Sequence, residues 1–593
     1  MKVIFFAIVG LLLPLHLFSQ LHDNTWILGY PALGGYDPTL GHSILTFTDG
    51  SLQIDSSSVM NDMEFPQNNS AFSDENGELF AFFNGLHIRN KTFVQDVENG
   101  GDMHEEIDFA SGYYLSFDFL VQGSVFLRYP GHEDSLILLY MSNRYLLNNN
   151  NFVTDRVSFD VTAALIDMKG NNELGKVVNR KIPVVHDTLT LGKLHTVRHA
   201  NGRDWWVLAF QRNSSLYYRI LIDPSGIHNL GLSEVEKIIR NGAGSSVFSP
   251  DGQRYAAYSA FSFDTIGSHL DIFDFDRCTG YLTNQIRIEG KGDYGGVAIS
   301  PNSRYLYNNK RDTAFQYDLH AADIPASRKV VAVYDGFTDP FQVTFYMMQL
   351  APDGKIYSSA TNGTRYLHVI HRPDEEGMDC QYQQRGIQLY KYNDFSVPNF
   401  PNYRLGPLDG SPCDTLGLNN HPKAWYRYEQ DTLDALAVAF TDLSYYEPAS
   451  WSWDFGDGSA GSTERHPTHQ FPKPDVYQVR LTVSNQYGSD THCKTLYLGV
   501  SATSDPARQT AQVLLWPNPT DGRLQLYLPG MEAEQEVRLR VADISGRTML
   551  ERSLATADGN LALDASRLAP GVYFCLVSTA GQTFQPVKFV ISR

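Results

Sequence analysis

One short phrase recurs at a fixed interval, and it restricts the fold more than any other feature of the chain. Ser249-Pro250-Asp251-Gly252, Ser300-Pro301-Asn302-Ser303 and Ala351-Pro352-Asp353-Gly354 begin 51 residues apart. Each follows a short apolar run (SSVF, GVAI, MMQL) and precedes an aromatic one (RYAAYSA, RYLYNN, KIYSSA). Proline presets φ and Gly or Asn accepts positive φ, so each phrase predicts a hairpin turn. Weaker copies stand upstream, at His199-Ala200-Asn201-Gly202 and at Asp74-Glu75-Asn76-Gly77. A third strand ending in an acidic turn closes each later unit, at Asp276, Asp318 and Asp374.

Three or four short strands per period, repeated six or seven times over about residues 24–415, predict a β-propeller. The region resembles the seven-bladed propellers of exported proteins. A polar insert, Asn148 to Asn151, enlarges the unit between about 113 and 190, so six or eight blades also fit. A β-sandwich or a right-handed β-helix is the rival, but helix repeats are shorter and sandwiches do not repeat a turn phrase. A capping box, Ser233-Glu234-Val235-Glu236, predicts one short connector helix running to Arg240.

The 593 residues suit several domains, and a formal net charge of −19 repels phosphate backbones, which argues against nucleic acid as a partner. Residues 1–20 combine Lys2, an apolar run to Phe18 interrupted by Pro14, and the small Ser19, the pattern of a secretory signal peptide. No later stretch is apolar enough to span a bilayer as a helix, so no membrane span is expected in the mature chain. Five cysteines, Cys278, Cys380, Cys413, Cys493 and Cys575, fit no zinc spacing. A bridge is expected between two of the first three, with Cys380–Cys413 preferred.

After residues 398–422, which read as a domain boundary, the rhythm stops and the propeller region (21–420) ends. The stretch Trp453-Asp454-Phe455-Gly456-Asp457-Gly458, followed by His466-Pro467, Tyr477 and the run VRLTVSN, resembles the polycystic-kidney-disease (PKD) domain, an immunoglobulin-like β-sandwich, over residues 425–500. Trp453 and Phe455 alternate with polar neighbours and should face a core, while Asp457-Gly458 should close a hairpin. Two carboxylates without a bidentate Glu fall short of the 6–8 oxygens of calcium, so Asp454 and Asp457 read as turn residues rather than metal ligands. The resemblance implies a spacer or adhesion module.

A linker, 501–512, leads to a last unit, 513–593. It contains Pro517-Asn518-Pro519 with Gly522, then Gly546-Arg547, then Gly571 and Tyr573. Alternating strands between Pro, Asn and Gly turns predict a second β-sandwich. These three blocks resemble the type A C-terminal sorting domain of type IX secretion cargo in the Bacteroidetes. The resemblance implies the type IX secretion machinery as a partner and an extracellular or cell-surface destination after Sec-dependent export.

No nucleophile elbow, zinc helix or phosphate loop survives inspection. Gly242–Ser246 lacks the G-x-S-x-G order, and His132-Glu133 lacks the second histidine of H-E-x-x-H. The acidic run from Asp102 to Asp108 reads as a solvated loop, and of Trp205 and Trp206 one should enter a blade core. No catalytic, metal or cofactor residue is expected. The chain therefore reads as an all-β exported protein whose propeller binds an extracellular protein or glycan. The alternative is an extracellular enzyme degrading polysaccharide or peptide with its site in the propeller channel.

Overall fold

The computed structural model describes every residue except 1–20, 31–38, 49, 57–62, 64, 66–67, 104–119, 148–152, 261–266, 292–293, 432–433, 499–513, 517–519, 521, 529–534, 544–546, 557–559, 570, 580–586 and 592–593. The expected signal peptide, the insert at 148–151, most of the acidic run at 102–108 and the linker at 501–512 lie outside the described residues. Two compact units result, residues 1–472 with 477–496, and residues 473–476 with 497–593. Regular structure among the described residues is strand, apart from a helical turn at Gly170–Glu173 and 3-10 turns at Pro325–Ser327 and Gly377–Cys380. The all-β class follows.

Within the first unit, the described strands between Thr25 and Asn393 form seven consecutive antiparallel sheets, each in simple chain order. The first two have three strands and the other five have four. The five turn phrases are one structure repeated. In each, the fourth residue's N–H donates to the carbonyl of the first: Gly77 to Asp74 (3.1 Å), Gly202 to His199 (2.9 Å), Gly252 to Ser249 (2.7 Å), Ser303 to Ser300 (2.9 Å), Gly354 to Ala351 (2.9 Å). That residue then takes positive φ, from +61° at Ser303 to +80° at Gly77. The Asx residue in the third position of the last four phrases, Asn201, Asp251, Asn302 or Asp353, accepts the N–H two residues on, at 3.0 Å each time. Short polar side chains recur there because they close the turn on their own backbone.

The inner strands of the sheets are heavily buried. Trp205–Phe210 (WWVLAF) is buried at all six positions, because it lies between two strands of its own sheet and between two neighbouring sheets. Both Trp205 and Trp206 therefore sit in cores, and neither offers a stacking surface. Trp205 lies under the Arg198 guanidinium at 3.9 Å and Trp206 Nε1 donates to the Arg277 carbonyl at 2.8 Å.

Polar hooks join neighbouring sheets at their inner ends. Asn69 Nδ2 donates to the Ile27 carbonyl (2.7 Å), the Ser70 and Ser124 hydroxyls meet at 2.9 Å, and the Leu194 N–H donates to the Gln122 carbonyl (3.0 Å). Further round, the Val297 N–H donates to Ser245 Oγ (3.0 Å) and Asn309 Nδ2 to Ser358 Oγ (2.8 Å). The seventh sheet meets the first through the Lys391 N–H on Ser43 Oγ (3.0 Å) and the Tyr392 N–H on the Thr39 carbonyl (3.0 Å). The sheets thus close into a ring.

The chain then turns back through that ring. Residues 394–406, part of which read as a boundary, are largely buried, with Ser396, Val397, Asn399, Phe400 and Tyr403 inside. Asn399 Nδ2 donates to the carbonyls of Ser124 (2.9 Å) and Leu194 (3.0 Å), its Oδ1 meets His195 Nδ1 (3.1 Å), and its N–H donates to the Asn69 carbonyl (2.8 Å). Tyr403 Oη donates to the Phe126 carbonyl (2.7 Å), and Arg404 grips Asp23 through two bonds of 2.7 and 2.6 Å.

Two expectations are corrected here. Residues 233–240 do not form a helix; 233–239 belong to the strand Gly226–Ile239, the outer strand of the fourth sheet. The capping hydroxyl of Ser233 is taken by Arg219 Nε (2.7 Å), Glu234 by the Ser215 hydroxyl (2.9 Å), and Val235 and Ile239 join a core. Ladder pairing and burial outweigh a local capping signal. The disulfide joins Cys413 to Cys278 rather than to Cys380, with Cα atoms 5.6 Å apart. The chain leaving the axis passes the acidic turn at Asp276, whereas Cys380 is buried among Tyr307, Phe345 and Met348.

Residues 426–498 form two three-stranded sheets, Tyr426–Gln430 with Ala437–Asp442 and Thr468–Gln470, and Ser450–Asp454 with Asp475–Asn485 and Gly488–Leu498. Trp453 packs on Tyr426 (5.0 Å) and Phe440 (5.3 Å) at their centre. The second compact unit holds a three-stranded sheet, Leu514–Trp516, Arg523–Tyr527 and Asn560–Asp564, and a four-stranded one built from Gln535–Asp543, Thr548–Thr556, Gly571–Thr579 and Val587–Ile591. Leu524, Leu526, Leu539, Val541, Cys575 and Phe589 share its core.

Replacing Asn399 with leucine strips partners from two buried carbonyls. An unsatisfied buried group costs about 1–3 kcal/mol, so N399L is expected to lose roughly 2–4 kcal/mol. The midpoint of chemical denaturation, followed by tryptophan fluorescence, checks this.

Candidate functional site

The returning segment occupies only one side of the ring axis, holding to the second, third and fourth sheets through Asn399 and Tyr403. A cavity of about 510 Å³ remains beside it. Its walls are the inner strands of the fourth to seventh sheets, at Thr196, Val247, Ala298 and Gln349, and its floor includes the repeated turns at Asp251, Asn302 and Gly354. The far side is the sandwich loop from Asp442 to Trp451.

That loop is held in an unusual conformation. Tyr446 and Glu447 both lie in the left-handed region, at φ +64° and +54°. Such backbone costs of order 1–3 kcal/mol per residue and persists only where its surroundings fix it. Asn485 supplies the fixing: its Nδ2 donates to the carbonyls of Tyr446 (3.0 Å), Glu447 (3.2 Å) and Asn420 (2.6 Å). Asn420 in turn donates from Nδ2 to the Pro407 carbonyl (3.0 Å), and a Cβ at Gly406 would stand 1.9 Å from Asn420 Oδ1. A side chain at 406 would have to displace Asn420.

The floor is organised by Arg277, whose guanidinium donates to the backbone carbonyls of Arg198 (3.1 Å), His199 (3.3 Å) and Gly406. Burial pushes its pKa down to about 10, so it remains a cation at neutral pH. Burial likewise pushes His195 down to about 4, which leaves a neutral imidazole. Asp23 is engaged by Arg404, and Asp442 Oδ2 accepts from Arg465 Nε (3.0 Å). Asp251 Oδ1 accepts the Ser249 hydroxyl and the Gln253 N–H (3.0 Å) within its own turn.

Ring and sandwich meet along a polar seam. Arg427 Nε donates to the Asp353 carbonyl (2.8 Å), and Lys355 Nζ pairs with Glu429 (2.7 Å), which also takes Arg427 (3.0 Å). The Leu443 side chain lies against the turns at Gly50 and Gly354.

The residues singled out from sequence sit elsewhere. Trp453 and Phe455 are buried in the sandwich. Asp454 Oδ1 accepts the Gly456 N–H (3.0 Å), and Asp457 Oδ1 accepts the Ser459 N–H (2.9 Å) and hydroxyl (2.6 Å). Asp457 Oδ2 also meets His469 Nε2 at 2.7 Å, and the His469 ring stacks on Phe455 at 3.8 Å. The expected hairpin at Asp457-Gly458 reaches only one bridge, Trp453 with Ser462, before the chain crosses to the other sheet. Gly456 and Gly458 both take positive φ, at +72° and +79°. In the second unit, Gly522 (φ +110°) follows Thr520, whose N–H donates to the Val590 carbonyl, and Tyr573 Oη donates to the Ala569 carbonyl (2.9 Å). Gly571 begins the strand that carries Tyr573, and Arg547 precedes Thr548–Thr556. Pro517, Asn518, Pro519 and Gly546 lie outside the described residues.

The cavity residues Thr196, Asn420, Tyr446 and Trp451 are absent from the sequence reading. Only Trp451 carried a signal, because it extends the inward row of Trp453 and Phe455 by one more aromatic.

Residues 427–500 match the PKD domain and residues 514–592 match the secretion system C-terminal sorting domain. The microbial collagenase of Vibrio alginolyticus is 23% identical over 296 residues, 47% of this chain and 34% of the collagenase, so the chain matches about a third of that relative. The PKD1 domain of the Vibrio cholerae metalloprotease PrtV is 33% identical and is covered over 99% of its length by 14% of this chain, at a TM-score of 0.13. A putative 6-phosphogluconolactonase from Bacteroides uniformis is 13% identical, with 62% of this chain and 97% of that chain covered, at a TM-score of 0.38. The chain thus carries a PKD domain and a type IX sorting domain, and it is exported.

The seam makes a pH prediction. Burial alone would raise Glu429, yet Arg427 and Lys355 hold it below the usual carboxylate range. Its stabilising contribution is therefore full above about pH 4.3 and is lost as pH falls through the lowered value. Between about pH 5 and pH 2 the melting temperature of E429Q should fall less steeply than that of the wild type, as read by differential scanning fluorimetry.

Proposed function

We propose that this chain is an exported binding protein, in which a seven-bladed β-propeller and the PKD domain together hold a ligand in the axial cavity. The observation that carries the reading is the pinned loop at Tyr446 and Glu447. Strained backbone, fixed by a dedicated side chain, forms one side of a half-open space bordered by the inner strands, the repeated turns and the axial segment. The PKD domain then acts as part of the site rather than as a spacer.

The state of the ionisable groups favours binding over catalysis. A general acid–base pair needs groups whose pKa values are poised and free to exchange protons. Asp23, Asp251 and Asp442 are each committed to an arginine or to a turn and His195 is held neutral against Asn399, so the Glu447 carboxyl, raised by burial, lacks a second poised group among these residues to complete an acid–base pair. The C-terminal domain supplies the route outward, through the type IX machinery, and the ligand is then met outside the cell.

Two experiments test this. Immobilised mature protein, screened by surface plasmon resonance against glycans and peptides, is expected to show a saturable ligand whose binding is lost in Gln349→Trp, which fills the cavity. Equal binding by that variant, or turnover of any ligand, overturns the reading. Deleting residues 513–593 is expected to leave the protein in the periplasm, as cell fractionation and immunoblotting would show; undiminished export refutes the sorting role.

A further inference from the structure

We infer that the rim of the ring, apart from the axial cavity, carries a peptide-binding edge at Ser51–Ser56. Its occupant is an extended segment of another polypeptide, added to the first sheet as a fourth strand. The ring supplies its own comparison. In five sheets the third strand pairs on its outer side with a fourth: Lys176–Leu189, Gly226–Ile239, Leu282–Gly290, Lys329–Val333 and Tyr382–Asn393. In the second sheet, residues 95–100 do the same for Ile88–Asn90. There the Asn90 N–H donates to the Gln95 carbonyl (3.0 Å), the Val97 N–H to the Ile88 carbonyl (2.8 Å) and the Ile88 N–H to the Gly100 carbonyl (2.8 Å). Among the described residues, only the first sheet ends at its third strand. Ser56 pairs with Ser43, and the Met63 carbonyl already meets His42 Nε2 (3.1 Å) at the same end of that sheet. From Ser56 to Met63 is too short a stretch to run down a six-residue strand and return.

The edge is straight where the others are bent. Every fourth strand of the five larger sheets carries register shifts, which twist an edge away from further pairing. Ser51–Ser56 has none and pairs with residues 43–48 in unbroken register. It is half-buried or exposed at all six positions, and its sequence SLQIDS holds neither proline nor lysine to deter a partner. Alternate N–H and C=O groups of such a strand point outward from the sheet.

The surroundings select the occupant. Paired strands lie about 4.8 Å apart, so the missing strand leaves a recess of that width. On one side of it stands the outer strand of the seventh sheet, whose Lys391 N–H donates to Ser43 Oγ (3.0 Å), and on the other stand residues 95–100 of the second. A second ring has the same recess and cannot bring its own Ser51–Ser56 into it, whereas a single extended segment fits. The strand alongside sets the two faces of that segment. Leu52 and Ile54 lie on one face, packed against the ring's core, and Ser51, Gln53 and Asp55 on the other. Cross-strand neighbours of like character pair best, so the segment alternates apolar and polar residues.

Fluorescence anisotropy of the full-length mature protein tests the inference. The probes are labelled synthetic peptides copying Leu282–Gly290, Lys329–Val333 with two further residues at each end, and Tyr382–Asn393, which fill the equivalent place in three other sheets. At least one is expected to bind saturably, and hydrogen–deuterium exchange at residues 51–56 should slow when it does. N-methylation of every second residue of that peptide should weaken binding tenfold or more in one of the two alternations and change it less than about twofold in the other, because only one edge of an added strand pairs. The same effect in both alternations overturns strand addition, and protection that falls outside 51–56 overturns the site. Absence of binding by all three peptides overturns the peptide assignment. Concentration-dependent dimers by light scattering, with 51–56 protected when no peptide is present, overturn the occupant in favour of a second copy.

Discussion

The return of the chain along the ring axis, with Asn399 at its centre, is the interaction on which the other features depend. One side chain satisfies carbonyls of the third and fourth sheets and a histidine of the fourth, while its own backbone reaches the second. Inner strands of a ring present polar edges that water or protein must satisfy. Here the protein does so along one side of the axis. The other side is left as a cavity, so the segment that completes the fold also shapes the candidate site.

The same segment sets the position of the sandwich. It leaves the axis at Gly406 and Pro407, where Arg277 and Asn420 hold its carbonyls, and the disulfide at Cys413 fastens it to the fifth sheet. The first sandwich strand then begins at Tyr426. Arg427, Lys355 and Glu429 seal the approach, and Leu443 fills the space over the glycines of two turns. A glycine at 406 permits the close approach of the Asn420 side chain, which donates to the Pro407 carbonyl.

The parts of the fold that were legible in the sequence are those whose chemistry is local. The repeated turns were readable because Pro, Asx and a positive-φ residue act within five positions, and the structure shows the same bonds in copy after copy. The PKD core was readable from the alternation of Trp453 and Phe455. The axial segment was not, since DFSVPNFPNYRLG has no period and its partners lie up to 381 residues away, as with Arg404 and Asp23. The misread helix at 233–240 shows the converse: a local capping signal was present, but edge pairing with Ser214–Asp223 and burial of Val235 and Ile239 decided the outcome. The cavity was hidden for the same reason as the axial segment, because Thr196, Asn420 and Trp451 come from three separate stretches.

The ring's dependence on a tail that follows all seven sheets also bears on inheritance. Modules are usually shuffled between genes at exposed linkers, where few contacts cross the cut. A cut after Asn393 would strip the axis of its own filling, and a cut before Tyr426 would leave the turn face without the sandwich loop. Recombination that preserves function must therefore carry the ring and the PKD domain as one cassette, whereas the sorting domain, a compact unit by itself, can be exchanged between cargoes.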